Sequence, residues 1–499
     1  MEEFKVHGAP GTGKTTWIEA SAGRCAEEFY GDQVSICSLT NAAVQEVASR
    51  NIAIPKKNLT TLHARCKRVL GAGAPAESFS KEFTDAHRGW KVAFDQEKIG
   101  GDLNIYEKLQ ILRQRMTPES QWSAPVKSFA EAWNGWCRET GRMDFTGWLE
   151  AVLETRSLPP QQIVFVDEAQ DHTPLQLEVI RTWDTERLVM VGDADQSIFE
   201  WSGALPEAFS GNKGGKCKEK ILEQSYRVPN AVHRVATQFI RRVKNREERP
   251  YKPRDAEGSV IKSGFNLDDI KCMSNLPPRL LENEDETYMI ITSCAYMLDP
   301  LIDTLMRERI PFHNPYRKNH TRWNPLAGVG KCLESFKGKD RMWNGSEILD
   351  WINFLKPAET FLPRKKAPFL RLCESMGQIP MKMKDLKGHL QKECLDRLLK
   401  RDSNIIRDAR DTKAWTYAID TLSKGPVTPR LTVGTIHSVK GGESDNVILF
   451  PDLSPAGIRE YLGAKRDSLY RLFYVGMTRA RKNLILCDRS RSSGAIDWV

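Results

Sequence analysis

Gly8-Ala9-Pro10-Gly11-Thr12-Gly13-Lys14-Thr15, close to the start of the chain, fits the pattern G-x-x-x-x-G-K-[ST]. The short β-type run Phe4 to His7 leads into it. A strand, a glycine-rich turn and a following helix form a loop whose backbone N–H groups close around an anionic phosphate chain at the positive end of the helix. Lys14 is placed to reach the β- and γ-phosphates, and the Thr15 hydroxyl to hold Mg²⁺. Alone, the pattern specifies a nucleotide-phosphate loop and nothing narrower.

Composition bounds the rest. The chain has 499 residues, too many for one ordinary core, so length suggests about three or four domains. No apolar stretch approaches the ~20 residues that span a bilayer, so no membrane partner is expected. The first residues are acidic and polar and pass straight into a strand. No signal peptide is read there, and the expected location is the cytoplasm. The 11 cysteines are scattered without a C-x-x-C pair, which suits a reducing compartment and leaves no zinc site expected. The formal net charge is +9, yet Tyr316 to Arg430 alone holds 24 Lys/Arg against 13 Asp/Glu. A localised basic field attracts phosphate polymers, although a Lys-rich solvated surface gives the same count.

Short apolar β-type runs recur at Val34–Leu39, Ile163–Val166, Leu188–Val191, Tyr288–Thr292, Leu431–Thr435, Val447–Phe450 and Leu484–Cys487. Long mixed or amphipathic segments separate most of them. That rhythm predicts an α/β fold of βα units with buried parallel strands. Residues 66–140 and 316–425 interrupt it and read as mostly helical insertions, with helical stretches around Ile348–Leu355 and Leu386–Arg410. The Pro and Gly clusters near Pro325 and Pro357–Pro368 read as helix breakers. Two α/β cores, each split by an insertion, is the simplest parsing.

Further segments carry chemistry. In QIVFVDEAQD an apolar run delivers Asp167 and Glu168 to the mouth of a sheet. Asp167 suits Mg²⁺ coordination, and Glu168 suits orienting and deprotonating an attacking water. Leu188 to Ala204, LVMVGDADQSIFEWSGA, places Gln196 where it can sense a γ-phosphate. Phe199 and Trp201 lie two apart, so in an extended segment they project to one side. They suit base stacking or a core aromatic pair. LEQSYRVPNAV supplies Tyr226 and Arg227, TVGTIHSVKGGESDNVILF supplies Thr435, His437, Lys440 and Glu443, and LFYVGMTRARKNLIL supplies Arg479 and Arg481. A guanidinium can stabilise charge on a transferring phosphoryl group.

The ordered set GAPGTGKT, SLTNAAVQEV, TLHARC, VDEAQD, VGDADQSIFEWSGA, LEQSYR, VGTIHSVKGGE and YVGMTRARKNL resembles the superfamily 1 DNA helicases of the UvrD/Rep/PcrA branch, from Gly8 to Leu486. The resemblance implies two RecA-like P-loop NTPase domains, 1A (1–65 and 141–225) and 2A (226–315 and 426–499). They are interrupted by insertions 1B (66–140) and a basic 2B (316–425). It implies ATP and Mg²⁺ in a cleft between 1A and 2A. There the loop residues Gly8, Ala9, Pro10, Gly11, Thr12, Gly13, Lys14, Thr15 and Thr16 would cradle the phosphates, with Thr15 and Asp167 on the metal. Glu168 and Gln196 would serve hydrolysis. Tyr226 would stack on adenine, Glu443 would meet the ribose, and Arg227 and Arg479 would reach the γ-phosphate once the cleft closes. Thr40, Asn41, His63, Phe199, Trp201, Thr435 and His437 match the family's strand-contacting positions. The implied partners are single-stranded DNA and single-strand/duplex junctions, with 3′→5′ movement and a replication or repair protein left unidentified.

The chain departs from the family pattern in places. The family's adenine-reading glutamine segment finds no counterpart in the seven residues before Gly8, and Thr16 stands where an arginine is common. The expectation is relaxed base selectivity, with Trp17 a substitute stacker. Ser202, Leu39 and Ser225 also replace usual contacts. A translocase that strips proteins from DNA and unwinds weakly, or a catalytically idle loader subunit, are the alternative functions.

Overall fold

The computed structural model describes the chain apart from residues 39–52, 91, 93–102, 211–216, 272–284, 318–321, 338–341, 401, 403, 410–411, 424, 426, 492–493 and 499. It divides into two compact units. One comprises Met1–Gly264, Ile291–Ala295 and Thr435–Val499, the other Phe265–Ile290 and Tyr296–Gly434.

The first unit opens with six strands: β1 (Glu2–Gly8), β2 (Val34–Ser38), β3 (Leu59–Thr61), β4 (Gln161–Val166), β5 (Thr185–Gly192) and β6 (Lys218–Leu222). They form one sheet in the order β3-β2-β4-β5-β1-β6, every neighbour parallel. Successive side chains of a strand face opposite ways, and both faces here are apolar. Ile163 and Phe165 of β4 pack with Val6, Ile18, Val34 and Val191 on one side, while Val164 and Val166 pack with Leu62, Leu149, Leu177 and Met190 on the other. Each such buried side chain is worth about 1.5–3 kcal/mol. Parallel pairing sends the loops after β1, β4 and β5 out along one edge, where ligands of open α/β sheets bind.

Between β3 and β4 the chain is helical, at Leu62–Val69, Ser80–Ala86, Ile105–Gln114, Ala124–Glu139 and Phe145–Thr155. The middle three share an aromatic core of Phe83, Tyr106, Phe129, Trp133 and Trp136, while the first and last pack on the sheet through Leu62, Cys66, Trp148 and Leu149. Buried Asp144 caps the last of them by accepting from the Gly147 N–H, and it also accepts from Arg113, Gln110 and Trp133.

The remaining strands are β7 (Gln224–Pro229), β8 (Lys252–Arg254), β9 (Ser259–Ser263), β10 (Tyr288–Thr292), β11 (Phe312–His313), β12 (Leu431–Thr435), β13 (Ser444–Leu449), β14 (Asp452–Leu453) and β15 (Ala480–Cys487). Within the first unit β15 lies parallel between β13 and β9. The carbonyls of Ile291 and Thr292 accept from the N–H groups of Phe450 and Ile436 at 3.2 and 3.0 Å, which adds the end of β10 to this second parallel array. The mixed α/β class with parallel sheets is therefore the one the periodicity predicts.

The second unit holds the parallel pair β11–β12 and a run of short helices packed through Phe336, Trp343 and Trp351 and through Phe354 against Trp415. Here the proline reading needs correction. Pro325 and Pro357 open the helices Pro325–Lys337 and Pro357–Thr360, and Pro368 sits in the first turn of Lys366–Met376. A first-turn residue has no intrahelical partner for its N–H, so proline starts these helices instead of breaking them. The stretch Leu386–Arg410 is likewise several short helices, Met383–Lys387, Lys392–Leu399 and Asn404–Arg407. Among the described residues no helix is long and apolar enough to cross a membrane.

Candidate functional site

The loop of Gly8 to Thr15 leaves the C-terminal end of β1 and enters the helix α1 (Lys14–Phe29). Gly13 caps α1 in the left-handed region, at φ 75°, a conformation that costs a side chain but not a glycine. Thr12 closes the turn, with its N–H and hydroxyl both donating to the Ala9 carbonyl at 3.3 and 2.8 Å. Lys14 is buried and donates to the Gly8 carbonyl at 2.9 Å. Its ammonium is thereby folded back across the concave side of the loop. Thr15 is half-buried and Thr16 exposed at the start of the helix. The N–H groups at the start of the helix, the lysine and the hydroxyl make a donor set that suits an anionic polyphosphate.

The loop is gripped from β7 and beyond. The Ser225 hydroxyl and the Tyr251 hydroxyl both donate to the Pro10 carbonyl, at 2.9 and 3.0 Å, and the Tyr226 N–H donates to the Gly11 carbonyl at 2.8 Å. Tyr226 is 72% exposed. A Cβ built on Gly13 would come 3.9 Å from its ring, so an aromatic face lies open beside the start of α1. Trp17, the expected substitute stacker, is half-buried in α1. Its ring packs against the β1 side of the core, with the Lys220 ammonium 5.6 Å above it.

Asp167 and Glu168 follow β4. Asp167 is buried, and its N–H donates to the Cys37 carbonyl at 2.9 Å. Glu168 sits at φ 50°, an uncommon conformation for a residue with a side chain, and one that costs on the order of 1–3 kcal/mol. It turns the chain sharply at the sheet edge. The Gln170 amide donates to the Glu168 carboxylate, and its oxygen accepts from the Asp193 N–H at 2.9 Å. Burial alone would push the Glu168 carboxyl up, but Lys14, Lys440, the Gln170 hydrogen bond and Arg479 outweigh it and bring the pKa down to about 2. The surrounding cations hold the carboxylate in its charged form, in which it can accept a hydrogen bond from a water and orient it.

Gln196 links this turn to the arginine segment. It donates to Asp193 at 2.7 Å and accepts from Arg479 Nη2 at 3.2 Å. Arg479 is held by the carbonyls of Val475 and Gly442 at 2.8 and 3.2 Å. Arg227 donates to Glu443 at 2.6 Å, and Arg481 reaches the same carboxylate at 3.5 Å. Lys14, Glu168, Gln196, Arg227, Glu443, Arg479 and Tyr226 thus fall around one edge of one compact unit. Sequence reasoning missed Gln170, Asp171, Asp193 and Tyr251 as parts of it, and read Ser225 only as replacing a usual contact, whereas its hydroxyl grips the loop. Lys440 was noted without a role, yet its ammonium donates to the Asp171 carboxylate and, at 2.7 Å, to the Gln196 carbonyl.

Of the expected strand contacts, Thr40 and Asn41 lie outside the described residues. Phe199, Trp201 and His437 do assemble, with ring centroids 6.0 Å (Phe199–Trp201) and 5.9 Å (Phe199–His437) apart. The segment is not extended as expected, however. Phe199 caps a single 3₁₀ turn, Glu200–Ser202, and that turn brings the rings together edge to face. His437 is buried and bonds the Ile198 carbonyl at 3.0 Å, while the Thr435 hydroxyl accepts from the Ser438 N–H at 3.2 Å. His63 is half-buried, its ring 5.9 Å from that of Phe145.

Parts of the chain are similar in sequence to known proteins. Residues 2–201 match the family model described as AAA domain, and residues 404–490 match that described as UvrD-like helicase C-terminal domain. The chain is similar to "F-box DNA helicase protein 1" of Schizosaccharomyces pombe, 25% identical over 65% of this chain and 34% of that protein. It is similar to a "Probable DNA helicase II homolog" of Mycoplasma capricolum, 33% identical over 52% of this chain and 41% of that protein. It is also similar to "ATP-dependent DNA helicase PcrA" of Staphylococcus aureus, 24% identical over 38% of this chain and 30% of that protein. The matches therefore span less than half of each of these relatives.

Proposed function

We propose, from the premise that this chain belongs to the UvrD/Rep/PcrA-like branch of superfamily 1, that it is an ATP-dependent DNA helicase driven by DNA-stimulated ATP hydrolysis. The observation that carries the reading is the junction at Gln196. One side chain bonds both the turn after β5 and the buried Arg479, while Glu168 stands ionised beside Lys14. That is the pairing of a carboxylate half-site with an arginine half-site that phosphoryl transfer requires.

The residue roles follow from position. The loop from Gly8 to Thr16 would bind the phosphates, with Lys14 donating to the terminal ones. Tyr226 would stack on the base and Glu443 would bind the ribose. Thr15 and Asp167 offer a hydroxyl and a carboxylate of the hard-oxygen kind that suits Mg²⁺, which when bound would neutralise phosphate charge. Glu168 would orient and deprotonate the attacking water. Arg227 and Arg479 would offset the charge on the transferring group. Phe199 and Trp201 would stack bases of single-stranded DNA, with Thr40, Asn41, His63, Thr435 and His437 lining the rest of the track. The division into 1A, 1B, 2A and 2B at the bounds given above, closure of the 1A–2A cleft on ATP, 3′→5′ movement, junction binding and action in the cytoplasm complete the reading.

Unwinding of duplexes carrying a 3′ or a 5′ single-stranded tail tests it. Separation of the 3′-tailed duplex in the presence of ATP and Mg²⁺, and not of the 5′-tailed one, is expected. Preference for the 5′ tail would reverse the assigned direction, and separation of neither would remove the helicase reading.

A further inference from the structure

We infer that Lys440 is a positioning residue that ties the hydrolytic turn to the base-stacking ring, so that the two ends of the reaction respond together. The inference rests on the DNA-stimulated ATPase reading and adds a residue to it.

Lys440 stands where three segments of the first unit meet. From the turn after β4, the Asp171 carboxylate accepts from its ammonium; from the turn after β5, the Gln196 carbonyl accepts at 2.7 Å. The same nitrogen lies 5.1 Å from the centroid of the Phe199 ring, within cation–π range. An ammonium has three donors and no acceptor. Here it faces a carboxylate from the turn after β4, and a carbonyl and an aromatic face from the turn after β5. The side chain is about nine-tenths buried, and Asp171 is 2% exposed, so water competes weakly for any of the three contacts.

The connection runs both ways. The Asp171 N–H donates to the Glu168 carbonyl at 2.9 Å, which fixes Asp171 to the residue assigned to the attacking water. The Gln196 whose carbonyl binds Lys440 is the same residue whose side chain meets Arg479. On the other side, Phe199 touches the rings of Trp201 and His437. A shift of Glu168 or Arg479 therefore reaches the Phe199 ring through one ammonium, and a base pressing on Phe199 reaches Glu168 by the same route. No other described cation lies against both the Asp171 carboxylate and the Phe199 ring.

The test compares the full chain with Lys440→Met, which keeps the stem and removes the charge, and Lys440→Arg, which keeps it. ATP turnover is measured with and without oligo(dT), beside the fluorescence of a 2-aminopurine oligonucleotide, whose emission falls when the base stacks. For Lys440→Met the ratio of stimulated to unstimulated kcat should fall about tenfold or more while the ATP KM moves by less than about threefold. The bound 2-aminopurine should brighten, and Lys440→Arg should restore both signals. A merely structural role would lower both turnover rates in parallel and leave the fluorescence unmoved, which would overturn the inference. So would a Lys440→Met ratio equal to that of the unaltered chain. If the unaltered chain shows no stimulation by DNA, the functional reading fails first and the inference falls with it.

Discussion

Arg479 donates from Nη2 to Gln196 Oε1 at 3.2 Å, with 1% of its surface exposed. Their segments are 283 positions apart in the chain, so the contact is made by the fold alone. A buried guanidinium facing a glutamine beside an ionised Glu168 has a role that a lysine cannot fill, because only the planar fork can meet Val475, Gly442 and Gln196 together. Arg479→Lys should reduce DNA-stimulated kcat by about 10²-fold or more, with a smaller change in ATP KM. Steady-state turnover checks it, and a variant within about threefold of the unaltered chain would remove Arg479 from the reaction.

The conformation of the phosphate loop is tested by glycine pairs. Gly11 lies at φ 74°, and a Cβ there would meet Arg227 Cβ at 2.5 Å and Ser225 Oγ at 2.8 Å. Gly23, inside α1, has nothing within 4 Å of the same position. Gly11→Ala should cost about 1–3 kcal/mol in local strain and raise the nucleotide KM. Gly23→Ala should stabilise α1 by about 0.5–1 kcal/mol and leave KM alone. Denaturant unfolding and KM for each variant separate the two, and equal effects would contradict the loop geometry.

Burial holds His7 and His172 at about 4, with Arg249 and Lys5 also lowering His7. The folded state thus refuses a proton that the unfolded chain takes up below its ordinary value near 6.5. Each histidine contributes stability that is complete above about pH 6.5 and is lost as pH falls toward 4, by at most about 1.4 kcal/mol per pH unit. Urea unfolding between pH 7 and 4 should show that fall, shallower in His172→Leu. An unchanged slope in the variant would mean that His172 accepts the proton when folded.

Trp201 is half-buried in the aromatic group. Trp201→Ala should weaken single-stranded DNA by about 1–3 kcal/mol while leaving the salt dependence of binding unchanged, since stacking releases no counterions. Fluorescence anisotropy at several salt concentrations reads both quantities. A changed salt slope would show that the ring works through phosphate contacts instead.

These sites were unequally legible in the sequence. The phosphate loop and β4 were readable because spacing and apolar runs act locally. Gly8 to Thr15 sets its own turn, and Ile163 to Val166 must be buried wherever the sheet forms. The Phe199–Trp201 contact was found by the wrong geometry, because a 3₁₀ turn and a strand can both bring residues two apart together. The prolines at 325 and 357 mislead for a related reason, since a proline ends a helix or begins one depending on which side the helix lies. Asp171 with Lys440 was out of reach. The two lie 269 positions apart, and neither carries a local signal that it will be buried against the other.

The most direct measurement is ATP turnover by the full chain with and without single-stranded DNA, for the unaltered protein beside Lys14→Ala and Glu168→Gln. Turnover should rise at least about tenfold with DNA in the unaltered chain and be lost in both variants, because one supplies the phosphate donor and the other the base. Turnover that ignores DNA, or that survives loss of Lys14, would contradict the assignment of this edge as the site of a DNA-driven ATPase.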